Sequence, residues 1–208
     1  MLERDLSASG LRQGRDLVGS IGAAMKEAGW SPPTALGLVA LGSGPGSFTG
    51  LRIAVMFVRV LAWQTGAKIV AVPTLRLIAE AAPAAEKDVG VVTDAQRGGV
   101  YWARYERRAG GELVGVAAER VGPAEEAAAD LGRETFLLGD GLGVNEKIFA
   151  GRRQGEAALW RPTAGRLAGL AWAAHLRGEY VAGELLEPLY VRRPAPEEVE
   201  ERRRRGGR

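Results

Sequence analysis

The sequence predicts an α/β fold, because short apolar runs alternate with longer helical segments along its first half. Residues 36–41 and 68–72 have the length and apolar continuity of buried parallel strands. Residues 48–66, between them, are long enough for a crossover helix, and such crossovers are right-handed. Further on, residues 89–93 and 100–105 are rich in strand formers, so they predict an antiparallel hairpin.

A glycine-rich loop, residues 42–52, lies between the first predicted strand and the crossover helix. Ser47 or Thr49 can cap the first helical amides. The start of a helix attracts anions, so Gly44, Gly46, Ser47 and Thr49 are weak candidates for cofactor binding. The simpler interpretation is a loop that only turns the chain. The loop lacks the Gly-Lys-Ser/Thr ending of a Walker motif and the later acidic residue of a Rossmann fingerprint, so both motifs are excluded.

The crossover helix has two apolar faces. One is expected to face the sheet, and the other to face a further helix, from this chain or from a partner. The first face consists of Leu51, Val55, Val58 and Ala62, the second of Ile53, Phe57 and Val60, and the strip between them of Arg52, Met56, Arg59 and Trp63. Two apolar faces on one helix of a short chain are consistent with burial against a partner and equally with burial inside the chain.

The remaining elements follow from weaker patterns. We expect further helices over 11–29, 75–85 and 164–176, and further strands over 113–121 and 135–138. The predicted organisation is a first lobe over 1–87 with the glycine loop, a second lobe over 88–191, and a charged tail over 192–208.

Composition and charge limit the class of protein. Hydrophobic residues make up 46% of the 208 residues, which allows a sizeable core. The chain has no cysteine and no apolar run of membrane-spanning length, which indicates a soluble protein of the reducing cytoplasm without membrane association. The net charge of +3 resides entirely in residues 192–208, which contain seven arginines and four glutamates. The body therefore lacks a positive excess that would attract nucleic acid.

Residues for catalysis are scarce. His175 is the only histidine, and one histidine without cysteine cannot build a His-based metal site, so we expect no metal and a half-buried packing role for His175. Asp94 sits at the predicted hairpin turn, where capping of local amides is the expected role. We assign no catalytic residue.

Four short motifs of the sequence resemble those of a known protein family. They are Gly-Pro-Gly-Ser-Phe-Thr-Gly-Leu-Arg-Ile at 44–53, Val-Pro-Thr-Leu at 72–75, Asp-Ala at 94–95 and Val-Tyr-Trp-Ala at 100–103. Over about residues 14–193 the chain resembles the bacterial TsaB family, also called YeaZ, of tRNA threonylcarbamoyladenosine biosynthesis proteins. The resemblance implies a two-lobed fold of the actin-like, Hsp70-like ATPase class, which is ribonuclease-H-like.

The resemblance also implies a function. Family members are understood as non-catalytic relatives of the metal-bearing subunit TsaD. With TsaD and the ATPase TsaE, they serve threonylcarbamoyl transfer to the adenosine beside the anticodon of tRNA. This chain would then be a scaffold that forms a heterodimer with TsaD, has no cofactor of its own, and meets ATP and tRNA only in the complex.

The resemblance places the partner-binding surface on the predicted helices 11–29 and 48–66. The residues expected to contact the partner, which could also be a second copy of the chain, are Leu17, Ile21, Met56, Phe57 and Val60. Two other functions remain open: a stand-alone peptidase or small-molecule kinase of the actin-like superfamily, and a free-standing nucleic-acid-binding module.

The opening residues depart from the family pattern. Family members begin with a strand and an Asp-Thr-Ser type hairpin that would hold a nucleotide phosphate, whereas residues 1–6 read Met-Leu-Glu-Arg-Asp-Leu. We therefore expect a first lobe truncated at its N-terminus.

Overall fold

The computed structural model describes residue 3 and residues 13–30, 36–96 and 98–191. The predicted tail, most of the opening segment and the start of the first predicted helix lie outside the described residues. Within them, the chain forms two β-sheets covered by helices, in agreement with the predicted α/β class.

The first sheet has two parallel strands in the described part of the chain, β1 (Leu38–Gly42) and β2 (Lys68–Val72). The crossover helix α2 (Phe48–Thr65) connects them. The Ser47 side chain caps its first turn, and Gly66 ends it in the left-handed conformation with a φ of 71°. The prediction of two strands joined by a helix is confirmed.

Each face of the first sheet is covered by a helix. α2 packs on the face that carries Leu41 and Ile69. The helix α7 (Ala164–Leu176) packs on the opposite face, against Val70 and Val72. The helix predicted over 164–176 is confirmed, and it lies on the first sheet although it falls in the range predicted as the second lobe.

The first helix among the described residues lies beside α2. This helix, α1 (Gln13–Glu27), agrees with the prediction over 11–29 in its described part, and Gly29 follows it with a φ of 70°. α1 therefore packs against α2.

The helix predicted over 75–85 is shorter than expected. It is α3 (Thr74–Ala79), and residues 80–82 leave it through tight turns in which Ala81 and Ala82 bond to carbonyls three residues back. Pro83 explains the early end, because proline has no amide hydrogen and disfavours helical geometry in the residue before it. The prediction of a helix through residue 85 is wrong.

The second sheet has five strands in the described part of the chain. They are β3 (Asp88–Asp94), β4 (Val100–Arg107), β5 (Leu113–Gly115), β6 (Arg120–Gly122) and β7 (Phe136–Leu138). β3 and β4 form the predicted antiparallel hairpin, and β7, predicted over 135–138, pairs in parallel with β3.

The strand predicted over 113–121 is in fact two strands. β5 and β6 both pair with β4, and a bend over 116–119 separates them. The Val116 amide donates to the Arg104 carbonyl at 2.9 Å. The next residues, Ala117 and Ala118, are poor strand formers, which accounts for the interruption.

Helices cover both faces of the second sheet. α3 lies on one face, and Phe149 is fully buried on the other, beside Val92 and Leu142. The helices of that other face are α4 (Ala124–Asp130), α5 (Gly141–Val144) and α6 (Glu146–Phe149), and short 3-10 helices occur at Ala157–Leu159 and Gly183–Leu185. None of the described helices is long and apolar enough to span a bilayer.

The bend between β5 and β6 buries a carboxylate. Neither oxygen of Glu119 has a partner with good hydrogen-bond geometry among the described residues, although the Tyr105 hydroxyl approaches them. Burial raises the pKa of Glu119 to about 7, and the nearby Tyr105 hydroxyl opposes that rise. Burial likewise raises the pKa of the Tyr105 hydroxyl. The folded chain therefore holds a proton on Glu119 more tightly than the unfolded chain does.

This proton makes stability depend on pH. The contribution of Glu119 to the free energy of unfolding is largest below the ordinary pKa of 4.5. It falls as the pH rises from 4.5 to about 7 and stays low above that. Replacing Glu119 with Gln should raise the free energy of unfolding at pH 8 by about 2 kcal/mol, allowing for partial solvent exposure, and should change it little at pH 4. Urea unfolding at both pH values measures this, with Glu125→Gln on α4 as the exposed control. An equal effect of Glu119→Gln at both pH values would contradict the assignment.

Candidate partner-binding surface

The glycine loop connects β1 to α2, and its first residues are hydrogen-bonded to neighbouring segments of the chain. The Ser43 amide donates to the Val72 carbonyl at 2.9 Å, and the Thr74 amide donates to the Gly44 carbonyl at 2.6 Å. The Leu189 amide donates to the Ser43 carbonyl at 2.7 Å, so the segment 187–191, here called the strap, crosses the loop. The first part of the loop is thereby buried.

The strap explains one glycine of the loop. Gly44 has a φ of 113°, and a Cβ at this position would lie 2.9 Å from the Leu189 carbonyl oxygen. Only glycine fits both the conformation and the close approach. Gly44, a weak candidate for cofactor binding, is thus used for packing under the strap.

The other three weak candidates lie on the open side of the loop. Gly46, Ser47 and Thr49 are exposed. The Ser47 hydroxyl accepts a hydrogen bond from the Gly50 amide at 3.3 Å, which makes Ser47 the cap and not Thr49. Nucleotide binding by these residues stays a prediction.

The outward side of α2 carries a row of exposed side chains, here called the outer stripe: Phe48, Arg52, Met56, Val60 and Trp63. They recur at helical spacing on one side of the helix. The exposed fractions are 40% for Phe48, 57% for Met56, 48% for Val60 and 85% for Trp63. Large apolar residues so exposed and so aligned are typical of a surface that another protein covers.

The predicted partner-binding residues differ in their exposure. Met56 and Val60 are exposed on the outer stripe, whereas Phe57 is half-buried and packs against the cluster between α2 and the first sheet. Leu17 and Ile21 on α1 are half-buried. The structure therefore brings Met56 and Val60 together on one surface, with Phe57 turned toward the sheet.

Two large members of the outer stripe escaped the sequence-based choice of partner residues. Phe48 was treated only as part of the loop motif, and Trp63 was placed on the strip between the two apolar faces. The spacing of Phe48, Met56, Val60 and Trp63 was present in the sequence and would have identified them.

At its N-terminal end, the outer stripe joins the strap. The Arg52 Nε donates to the Tyr190 hydroxyl at 3.0 Å, and the Arg52 guanidinium lies 4.1 Å from the centre of the Phe48 ring. The Phe48 and Tyr190 rings are 5.2 Å apart. We call these three side chains the clasp, because they hold the strap against the start of α2.

At its C-terminal end, the outer stripe borders a groove of about 790 Å³. Met56, Val60 and Trp63 line one wall, and residues 180–184 line the other. Arg59 and Lys68 also face the groove, and neither forms an ion pair with any residue in the described ranges. The exposed surface thus extends from the clasp to this groove.

Asp94 and His175, whose side chains could take part in catalysis, contact local structural partners. The Asp94 carboxylate accepts a hydrogen bond from the Gln96 amide at 2.7 Å, which is the predicted capping role. His175 is half-buried, as predicted; its ring stacks on Trp172 at 5.1 Å, and its Nδ1 lies 2.9 Å from the Tyr180 hydroxyl. Across the described ranges, no group of three residues is arranged to hold a metal ion.

Comparison with known proteins first defines the class. A family model described as TsaD, tRNA N6-adenosine threonylcarbamoyltransferase, matches residues 14–147. The structure of YeaZ from Pseudomonas aeruginosa superposes with a TM-score of 0.73 at 32% identity, covering 86% of this chain and 85% of that one. The chain has the actin-like, Hsp70-like ATPase fold.

Sequence relatives then define the family. The tRNA threonylcarbamoyladenosine biosynthesis protein TsaB of Escherichia coli is 33% identical over 170 residues, which cover 76% of this chain and 72% of the relative. An uncharacterized protein of Mycobacterium tuberculosis is 34% identical over 159 residues, and the match spans 65% of its length. The chain belongs to the TsaB family, also called YeaZ.

Proposed function

We propose that this chain serves the biosynthesis of threonylcarbamoyladenosine in tRNA as a non-catalytic scaffold in the cytoplasm. It pairs with a TsaD-type protein and works with a TsaE-type protein in threonylcarbamoyl transfer to the adenosine beside the anticodon. The names of its relatives support the pathway, since TsaB proteins are named for this biosynthesis.

The observation that carries the pairing is the outer stripe of α2. Met56, Val60 and Trp63 leave large apolar side chains in water, and full burial of one such side chain is worth about 1.5–3 kcal/mol. Because these side chains are already partly buried, a partner that covers the stripe gains a fraction of this free energy at each of the three positions. A TsaD-type protein is the expected partner because the resemblance to the TsaB family implies that pairing, and the match of residues 14–147 to the TsaD family model indicates that the two proteins are related.

Residue types support the non-catalytic part of the proposal. The full sequence has no cysteine and a single histidine, and that histidine is engaged by Trp172 and Tyr180. In this proposal the chain holds no metal or cofactor of its own, and ATP and tRNA reach it only within the complex.

The pairing is tested by placing a charge in the stripe. Met56→Glu should raise the Kd for a TsaD-type protein from the same organism at least about a hundredfold, because the complex would bury an unpaired carboxylate. Since Met56 is exposed in the free chain, the variant should fold. Titration calorimetry measures the Kd, and sizing of the chain alone reports whether a homodimer uses the same surface.

The matched control is Val144→Glu on α5, which covers the second sheet, where the side chain is 66% exposed against 57% for Met56. It should bind the TsaD-type protein as the unaltered chain does. A Met56→Glu protein that stays folded and binds normally would overturn the proposed surface, and an unaltered chain that does not bind would overturn the pairing.

A further inference from the structure

Arg52 is the one cation within the first three turns of α2, and its position in the outer stripe is unusual. It follows Phe48 by four residues and precedes Met56 by four, so apolar side chains flank it on both sides along the helix. Unlike most exposed arginines, its guanidinium is fixed in place by the clasp. An oriented charge within an exposed apolar surface suggests a specific polar contact with whatever covers that surface.

The hydrogen bonds of Arg52 are only partly used. A guanidinium has five N–H donors, and the Nε donor goes to the Tyr190 hydroxyl. Among the described residues, the two Nη nitrogens have no hydrogen-bond or ion-pair partner. Four donors, arranged as a planar fork, thus remain for a group from outside the chain.

The surroundings leave the positive charge uncompensated. α2 contains Arg52 and Arg59 and no acidic residue along its eighteen residues. Glu187 in the strap makes no ion pair with Arg52 in the described structure. A surface that would bury this guanidinium against an apolar partner must also supply a negative charge, since burying an unpaired charge is costly.

We propose that the partner covering the outer stripe presents a carboxylate to Arg52, whose guanidinium is held in place by Phe48 and Tyr190 within the clasp. The proposal rests on the proposed pairing with a TsaD-type protein and adds its chemistry: an apolar helix face with an Asp or Glu where it meets the start of α2. A planar guanidinium binds a carboxylate through two parallel hydrogen bonds. Arginine among aromatic residues is also a common composition of binding hot spots.

The clasp gives this contact its specificity. Because the Phe48 ring and the Tyr190 hydroxyl already orient the guanidinium, less conformational freedom is lost when the carboxylate binds. Lysine at this position would keep the charge but lose the fork, the bond to Tyr190 and the stacking on Phe48. The clasp residues are thus positioning residues for a charge-specific contact.

The test measures Kd for the TsaD-type protein at low and high salt. Arg52→Ala should weaken binding about thirtyfold, and Arg52→Lys about tenfold. Tyr190→Phe keeps the ring against Phe48 but removes the acceptor, and should weaken binding about threefold. The unaltered chain should bind more weakly at high salt, and this salt dependence should be smaller for Arg52→Ala.

The matched control is Arg108→Ala, an exposed arginine at the β4–β5 turn of the second sheet, which should leave Kd unchanged. The proposal is overturned if Arg52→Ala binds within twofold of the unaltered chain, or if the loss is independent of salt and Arg52→Lys restores binding fully. If an Arg52 variant binds the TsaD-type protein normally but its assembled complex no longer binds tRNA, the proposal is also overturned and Arg52 is assigned to a tRNA phosphate. If Arg52→Ala fails to fold, the Kd values of Arg52→Lys and Tyr190→Phe test the proposal, and it is overturned if both variants bind as the unaltered chain does. Failure of the unaltered chain to bind would instead refute the pairing itself.

Discussion

Replacing Gly139 with alanine is expected to lower the free energy of unfolding by about 4 kcal/mol, a large share of what a domain of this size has. Gly139 follows β7 with a φ of 111°, and a Cβ there would lie 2.1 Å from the Val92 carbonyl oxygen and 2.8 Å from the Val92 carbonyl carbon. Both are backbone atoms of β3, so no side chain can move aside. Relief requires β7 to separate from β3, which breaks the parallel pairing.

Gly151→Ala is the control for this effect. Gly151 also has a positive φ, 71°, but no atom lies within 4 Å of a Cβ built on it. Its replacement should cost only the strain of the left-handed conformation, about 1 kcal/mol. Urea unfolding compares the two variants. Equal losses in the free energy of unfolding would show that the close approach to Val92 does not affect stability.

Phe149→Ala should lower the free energy of unfolding by about 4 kcal/mol. The Phe149 side chain, at the end of α6, is fully buried between α4 and the second sheet, beside Val92 and Leu142. Truncation removes apolar contacts and leaves a cavity that the surrounding backbone cannot fill. Thermal or urea unfolding measures the loss.

Val144→Ala, at an exposed position on the neighbouring helix α5, should change stability by less than about 0.5 kcal/mol. Because Phe149 lies under the second sheet, the folded fraction of Phe149→Ala should still bind the TsaD-type protein through α2. A loss of stability no larger than that of Val144→Ala would contradict the packing described for Phe149.

The elements that the sequence predicted well have signals close together in the chain. α2 has a cap at Ser47, a stop at Gly66 and a continuous apolar pattern between them, so its bounds agree with prediction to within a residue. The short pieces have no such signals. β5 and β6 have three residues each, and α5 and α6 have four, lengths at which packing against neighbours decides the conformation.

The surface was predictable only in part, for a related reason. Met56 and Val60 were identified because helical spacing is a local property. Tyr190, in contrast, contacts Arg52 although the two lie 138 residues apart in sequence. No sequence pattern within α2 predicts that the strap packs against this helix. Similarly, no pattern within α2 shows that Phe57 packs against the first sheet, because its burial depends on how the helix is rotated over the sheet.

The packing of α7 on the first sheet has a consequence for how the chain is made. On the ribosome, β1 and β2 emerge long before α7, because all of the second sheet lies between them in sequence. During that interval α7 is not yet available to cover the face with Val70 and Val72. A nascent chain with such an uncovered apolar face is prone to aggregation. The first sheet can therefore be completed only near the end of synthesis, whereas the β3–β4 hairpin can form as soon as it emerges.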